Sequence, residues 1–243
     1  MDPSQDLDAA INTISSGGAA ITGVARTDPD ATIAWCPGWT VATVATHIGN
    51  VHGWAAEMVR SASQERLPFA ATPEGLSSDE LADWADNQRA ALIDAFAGAD
   101  PDQPMWAFGQ IVPSRFWWRR QTHETAVHAW DATFAAGQTW QIDGDTADDG
   151  LAELLSMLPF IWRRNPPAWG DGRTVHFHRT DGDGERVLTI GSPPVVELGH
   201  RKGDLAVRGP AADLLLWALN RPSSAECLGD TALAEAWAAN VKL

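Results

Sequence analysis

Apolar positions recur at helical spacing through the first half of the chain and at alternating spacing in its last third. Between residues 4 and 26, Leu7, Ala10, Ile11, Ile14 and Ile21 predict one or two helices, interrupted at Gly17-Gly18. Trp35-Cys36-Pro37-Gly38-Trp39 reads as a turn leading to Thr40, a good N-cap. The next helix runs from about Val41 to Ser61, with Val44, Ala45, Ile48, Val51, Ala55, Met58 and Val59 as its buried stripe. Residues 62–77 read as a loop, after which Ser78 or Asp79 caps a third helix to about Ala97. Its inward positions are Leu81, Trp84, Ala85, Leu92 and Phe96. The stretch Trp106–Ile111 has no clear period. A fourth helix has Pro113 at its start, Gly137 past its end, and Phe116, His123, Val127, Trp130 and Phe134 as its stripe. The connections predict an antiparallel four-helix bundle.

The pattern then changes. Gln138–Gly150 is polar and turn-rich, which places a boundary there and divides the chain into 1–140 and 141–243. A helix from about Thr146 to Arg164 is expected to stop before Asn165-Pro166-Pro167. Period-2 segments follow at Thr174–Arg179, Arg186–Ile190, Val195–Leu198 and Leu205–Arg208. Gly-containing turns between them predict an antiparallel sheet. Pro210 opens a helix through Asn220, and Thr231–Asn240 forms the last one. The class is α+β, a helical bundle followed by a small α+β unit.

Charge narrows the function. A formal net charge of −15, from 17 Lys+Arg against 32 Asp+Glu, leaves little positive surface for nucleic acid or anionic membranes. Two cysteines, Cys36 and Cys227, make no disulfide framework. No signal-like segment and no long apolar run is visible, so a cytoplasmic location is expected. Thirteen Trp with no Tyr removes the phenol as an acid–base candidate and supplies aromatic walls suited to apolar ligands.

Chemistry concentrates in Q-T-H-E-T-A-V-H-A-W-D, residues 121–131. Glu124 and His128 are four positions apart, so on a helix they lie about 40° apart on one face. Such a pair supplies two ligands to one metal ion. It also occurs as an ordinary surface pair worth a few tenths of a kcal/mol. Arg120, Glu124, His128 and Asp131 would form a polar strip flanking the apolar stripe. On the second helix, His47 and His52 are roughly 140° apart and cannot both reach one metal; either suits a structural role. His176 and His178 share one face of a strand and can chelate a metal, although an exposed strand face explains them more simply. Asp181-Gly182-Asp183-Gly184-Glu185 lacks the calcium-loop spacing and reads as a hairpin turn. Arg119-Arg120 and Arg163-Arg164 read as solvated or paired with the acidic surplus. No G-x-S-x-G, P-loop or G-x-G-x-x-G is present.

W-T-V-A-T-V-A-T-H-I-G-N-V-H-G-W (39–54) and H-E-T-A-V-H-A-W-D-A (123–132) resemble the two signature stretches of the mycothiol-dependent maleylpyruvate isomerase family. That family belongs to the DinB-like metal-binding bundles. I-D-G-D-T-A-D-D-G-L (142–151) and D-L-A-V-R-G-P-A-A-D-L-L-L-W (204–217) are similar to its C-terminal domain, a sterol-carrier-protein-like α+β unit. The resemblance implies a Zn²⁺ site, or one for another divalent transition metal, formed by His47, Glu124 and His128. Three ligands leave a position open, the pattern of a catalytic zinc. It also implies mycothiol as thiol cosubstrate and a small, anionic substrate such as maleylpyruvate. The thiolate would add to the cis double bond, which rotates as a single bond before elimination gives the trans isomer. Arg221 is similar to a family arginine that lines the active site. Asp131 would orient a ligand imidazole, or else lie on the helix surface or cap the helix. Arg120 is a further candidate for substrate contact. The resemblance is compatible with isomerase or thiol transferase activity, in a monomer or small homo-oligomer without nucleic-acid or membrane partners. A hydrolase that activates water on zinc and a non-catalytic small-molecule binding protein are the alternatives.

Overall fold

The structure, a computed structural model, describes residues 3–163 and 166–241, with side chains from residue 7 onward. It divides into two compact units, Met1–Trp140 and Gln141–Leu243.

The first unit holds α1 (Pro3–Thr27), α2 (Val41–Arg60), α3 (Ser78–Ala97), a hairpin of β1 (Pro104–Ala107) and β2 (Gln110–Pro113), and α4 (Arg115–Ala135). α1 is one continuous helix through Gly17-Gly18. Those glycines are sites of close approach: a Cβ on Gly17 would sit 3.0 Å from the Thr125 methyl of α4, and one on Gly18 would sit 2.5 Å from Arg89 of α3. Close packing therefore outweighs the propensity cost of about 1 kcal/mol per glycine. Thr40 caps α2 in a capping box with Thr43. The cap of α3 is Ser77, one residue earlier than its sequence suggests, because Glu80 reaches back to the Ser77 amide at 2.9 Å.

The bundle is not simply antiparallel. Gly49 and Gly53 of α2 meet Trp84 and Gln88 of α3 in ascending order, so these two helices run parallel. Arg26 of α1 pairs with Asp83 and Asp86 while Gly18 meets Arg89, so α1 opposes α3. The 61–77 connection makes this possible. At about 3.3 Å per residue it can return along a 20-residue helix of about 30 Å. α4 opposes α2, with Trp54 meeting Trp117 near one end and His47 meeting His128 toward the other.

Trp117, Phe96, Met105 and Ile14 are fully buried around the hairpin end of this core. Burial of each such side chain stabilises by roughly 1.5–3 kcal/mol. The hairpin that the sequence left indeterminate turns through Phe108 and Gly109, at φ 48° and 85°. A two-residue turn with both φ positive matches strand twist, but a phenylalanine in the first position hides it from sequence reading. α4 also departs from expectation. It is buried almost all round from Trp117 to Thr133, and Phe134 of its expected inner stripe is exposed. Its polar strip is therefore largely interior.

The second unit holds α5 (Gly144–Ile161), β3 (Thr174–Arg179), β4 (Arg186–Thr189), β5 (Val195–Leu198), β6 (Leu205–Gly209), α6 (Ala211–Ala218), β7 (Glu226–Gly229) and α7 (Thr231–Asn240). Asp143 caps α5 through the amides of Asp145 and Thr146. The helix ends at Ile161, and the expected terminal Arg164 lies outside the described residues, as does Asn165. The sheet is mixed, in the order β5-β4-β3-β6-β7, with β3 and β6 parallel rather than antiparallel. β7 is an additional strand, paired to β6. Val175 and Phe177 face α6 and α7, where Trp217 and Trp237 stack at 5.5 Å. Trp237 donates to the Ala218 carbonyl at 3.0 Å, which satisfies its buried indole N–H.

Candidate metal centre

The opposed run of α2 and α4 sets His47 against Glu124 and His128. His47 Nε2 lies 2.9 Å from Glu124 Oε1, and His128 Nε2 lies 3.6 Å from the same oxygen. One donor atom from each residue falls within 4.8 Å of the others. The two imidazoles meet edge to face at 4.9 Å. The other carboxylate oxygen of Glu124 pairs with Arg120, one turn back on α4.

Asp131 is fully buried, so the surface alternative for this residue fails. Its Oδ2 lies 2.9 Å from His128 Nδ1, an ion-pair distance. Trp35 Nε1 donates to its Oδ1 at 2.6 Å. With Nδ1 facing a carboxylate, the Nε2 lone pair of His128 is directed at Glu124 and His47. Trp39 stacks on the His128 ring at 5.8 Å and tilts against His47 at 5.2 Å.

Burial, reinforced by His128 and then by Arg120, pushes the His47 imidazole down to about 4. His47 is therefore neutral near pH 7, the form that ligates a metal. His52 takes the other course. It is fully buried, bonded to Thr125 Oγ1 at 2.9 Å, and pushed down to about 3 by burial first, then by Arg89 and His47. It is a core histidine of the α2–α4 interface, bonded through Nε2 while its buried Nδ1 has no hydrogen-bond partner among the described residues.

Two imidazole nitrogens and one carboxylate oxygen form a donor set that suits divalent transition metals, and three protein ligands would leave a fourth coordination position open. The neutral His47 and the carboxylate-held His128 both fit that role. Arg221 belongs to the second unit. It follows Asn220, whose φ of 58° ends α6, and its amide donates to Leu216 O at 2.9 Å. Sequence reading missed Trp35 and Trp39 as parts of the site. Their signal was available: two indoles flank Pro37-Gly38 immediately before the helix that carries His47.

A four-helix bundle with an interior histidine–carboxylate cluster, followed by a mixed-sheet unit, defines an α+β protein. Residues 14–133 match the family described as Mycothiol maleylpyruvate isomerase N-terminal domain, and residues 145–236 match the MDMPI C-terminal domain. The chain belongs to the mycothiol maleylpyruvate isomerase family. Among solved structures, it is similar to a mycothiol-dependent maleylpyruvate isomerase, with a TM-score of 0.67, 16% identity and 93% of each chain covered. A histidine-to-alanine mutant of a mycothiol-dependent maleylpyruvate isomerase aligns with a TM-score of 0.63 and 15% identity, again over 93% of each chain. No curated protein sequence matches the chain. Among the described residues, no helix is long and apolar enough to cross a membrane.

Proposed function

We propose that this protein is a metal- and thiol-dependent enzyme, an isomerase or thiol transferase that uses mycothiol on a small unsaturated acid of the maleylpyruvate class. The observation that carries the reading is the convergence of His47, Glu124 and His128. These three residues would hold a divalent transition metal, Zn²⁺ being the ion best matched to the donor set. When bound, the ion supplies the positive charge that keeps a coordinating thiol deprotonated near neutral pH.

The chain's own residues do the rest. Asp131 holds the His128 ring with Nε2 toward the cluster, and Trp35 holds Asp131. Arg120 fixes the Glu124 carboxylate. Trp39 stacks on the His128 ring and lies tilted against His47. Arg221 is proposed as the cation that binds a substrate carboxylate, because a dianionic acid needs a bidentate partner.

The test is turnover of maleylpyruvate with mycothiol present and with mycothiol omitted. Thiol-dependent turnover that disappears in folded His47→Ala and Glu124→Ala proteins is expected. Equal turnover without any thiol would replace this reading with hydrolysis. Stoichiometric ligand binding without turnover would replace it with a binding protein.

A further inference from the structure

A second group of metal-ligating side chains lies in the second unit, on the sheet face opposite Phe177. His176 and His178 alternate on β3 and project from one face. The β3–β4 register pairs His176 with Val187 and Phe177 with Arg186, so its continuation sets Glu185 across from His178. The fourth residue arrives by a crossover. β5 and β6 lie on opposite sides of the β4-β3 pair, so the connection 199–204 must pass over the sheet. It does so in close contact. A Cβ on Gly203 would lie 3.0 Å from the His176 amide nitrogen and 3.2 Å from its Cβ. This path carries His200 over the two strand histidines, with ring centroids 5.0 and 5.7 Å away.

The donor atoms converge on one carboxylate. Glu185 Oε2 is 3.0 Å from His176 Nε2 and 2.7 Å from His200 Nδ1, and Glu185 Oε1 is 3.1 Å from His178 Nδ1. One donor from each of the four residues lies within 4.8 Å of the others. Ligands about 2.0 Å from a tetrahedral ion are themselves roughly 3.3 Å apart, so the observed spacings need only small side-chain movements.

We propose that His176, His178, Glu185 and His200 form a second, structural site for a divalent transition metal. Three imidazoles and one carboxylate exclude a preference for Mg²⁺ or Ca²⁺, which favour oxygen ligands, and suit Zn²⁺, Co²⁺ or Ni²⁺. Four protein ligands complete a tetrahedral shell, so this site is closed where a catalytic one is open. Its role is a clip. It ties the loop after β5, through a histidine whose side chain is 72% exposed, to a nearly buried histidine on the central strand β3.

The test is metal stoichiometry of the full chain, stripped with a chelator and titrated with Zn²⁺ and, separately, Co²⁺. Wild type is expected to bind two equivalents. The His47→Ala/His128→Ala protein should retain one, with the visible absorption of four-coordinate Co²⁺. His200→Ala in that background should weaken the remaining site by at least about a hundredfold. His200 is on an exposed loop, so this change does not threaten folding. If the double variant fails to fold, the drop from two equivalents to one in His200→Ala alone carries the test. Retention of only one equivalent by wild type, unaffected by His200→Ala, would overturn the proposal. So would weak binding by the double variant that His200→Ala does not alter, since that would be surface binding only.

Discussion

The two histidine–glutamate clusters use the same side chains in different settings. The helical cluster has three candidate ligands, His47, Glu124 and His128, drawn from two opposed helices and walled by Trp39. The sheet cluster has four, drawn from adjacent strands and a crossing loop, and is open to solvent at His200. Ligand count separates their proposed roles: a site with a vacant position can take a thiol, whereas a full shell can only hold its ligands together. Support differs as well. His128 has a buried carboxylate behind it, and Asp131 has an indole behind it, whereas the sheet cluster's only carboxylate is itself a ligand. Orientation from behind matters most where one position must stay open for chemistry.

The largest effect expected from breaking this contrast is in the helical cluster. His47→Ala or Glu124→Ala should lower thiol-dependent turnover by at least about a thousandfold, since loss of the ion removes several kcal/mol of stabilisation. Steady-state rates at saturating mycothiol check this. Asp131→Asn keeps the shape but exchanges the carboxylate for an amide, and should cost roughly 10–100-fold in metal affinity or activity. Metal titration beside kinetics would separate that from a folding defect.

A stability effect comes next. The folded protein holds His52 at about 3, against 6.5 for a free imidazole. Below pH 6.5 the unfolded chain therefore takes up a proton that the folded chain refuses. The stability tied to His52 is complete above pH 6.5 and is lost progressively as pH falls toward 3. At about 1.4 kcal/mol per pH unit, lowering pH from 6.5 to 5 should cost about 2 kcal/mol. Urea unfolding of metal-free protein at several pH values reads this directly, and His52→Gln should show a shallower slope. The smallest effect belongs to the sheet cluster. His200→Ala should lower the thermal midpoint of metal-loaded protein by a few degrees, at about 2–4 °C per kcal/mol for a chain of this size. Without metal the midpoint should not move.

Much of this contrast was legible in the sequence, but unevenly. The i,i+4 spacing of Glu124 and His128 placed both on one face of a helix that exists as read. Helical spacing could not choose between His47 and His52; the family resemblance selected His47, and the buried bond of His52 to Thr125 supplies the physical reason it is a core residue. His176 and His178 were visible as a pair because strand alternation is regular. His200 was not, since it reaches them through a crossover that follows from the parallel β3–β6 pairing. The short 199–204 connection joins β5 to β6, strands that are not neighbours, and nothing in its sequence signals that it crosses the β4-β3 pair. The parallel run of α2 and α3 was hidden for a related reason: a long polar loop does not reveal which end of the bundle it returns to.

The most direct measurement is restoration of maleylpyruvate isomerisation when Zn²⁺ is added stepwise to chelator-stripped His178→Ala/His200→Ala protein with mycothiol present. In that protein only the helical cluster remains intact. The account predicts an inactive starting state whose activity rises linearly and saturates at one equivalent. Full activity before any metal is added, or none at any stoichiometry in a folded protein, would contradict it.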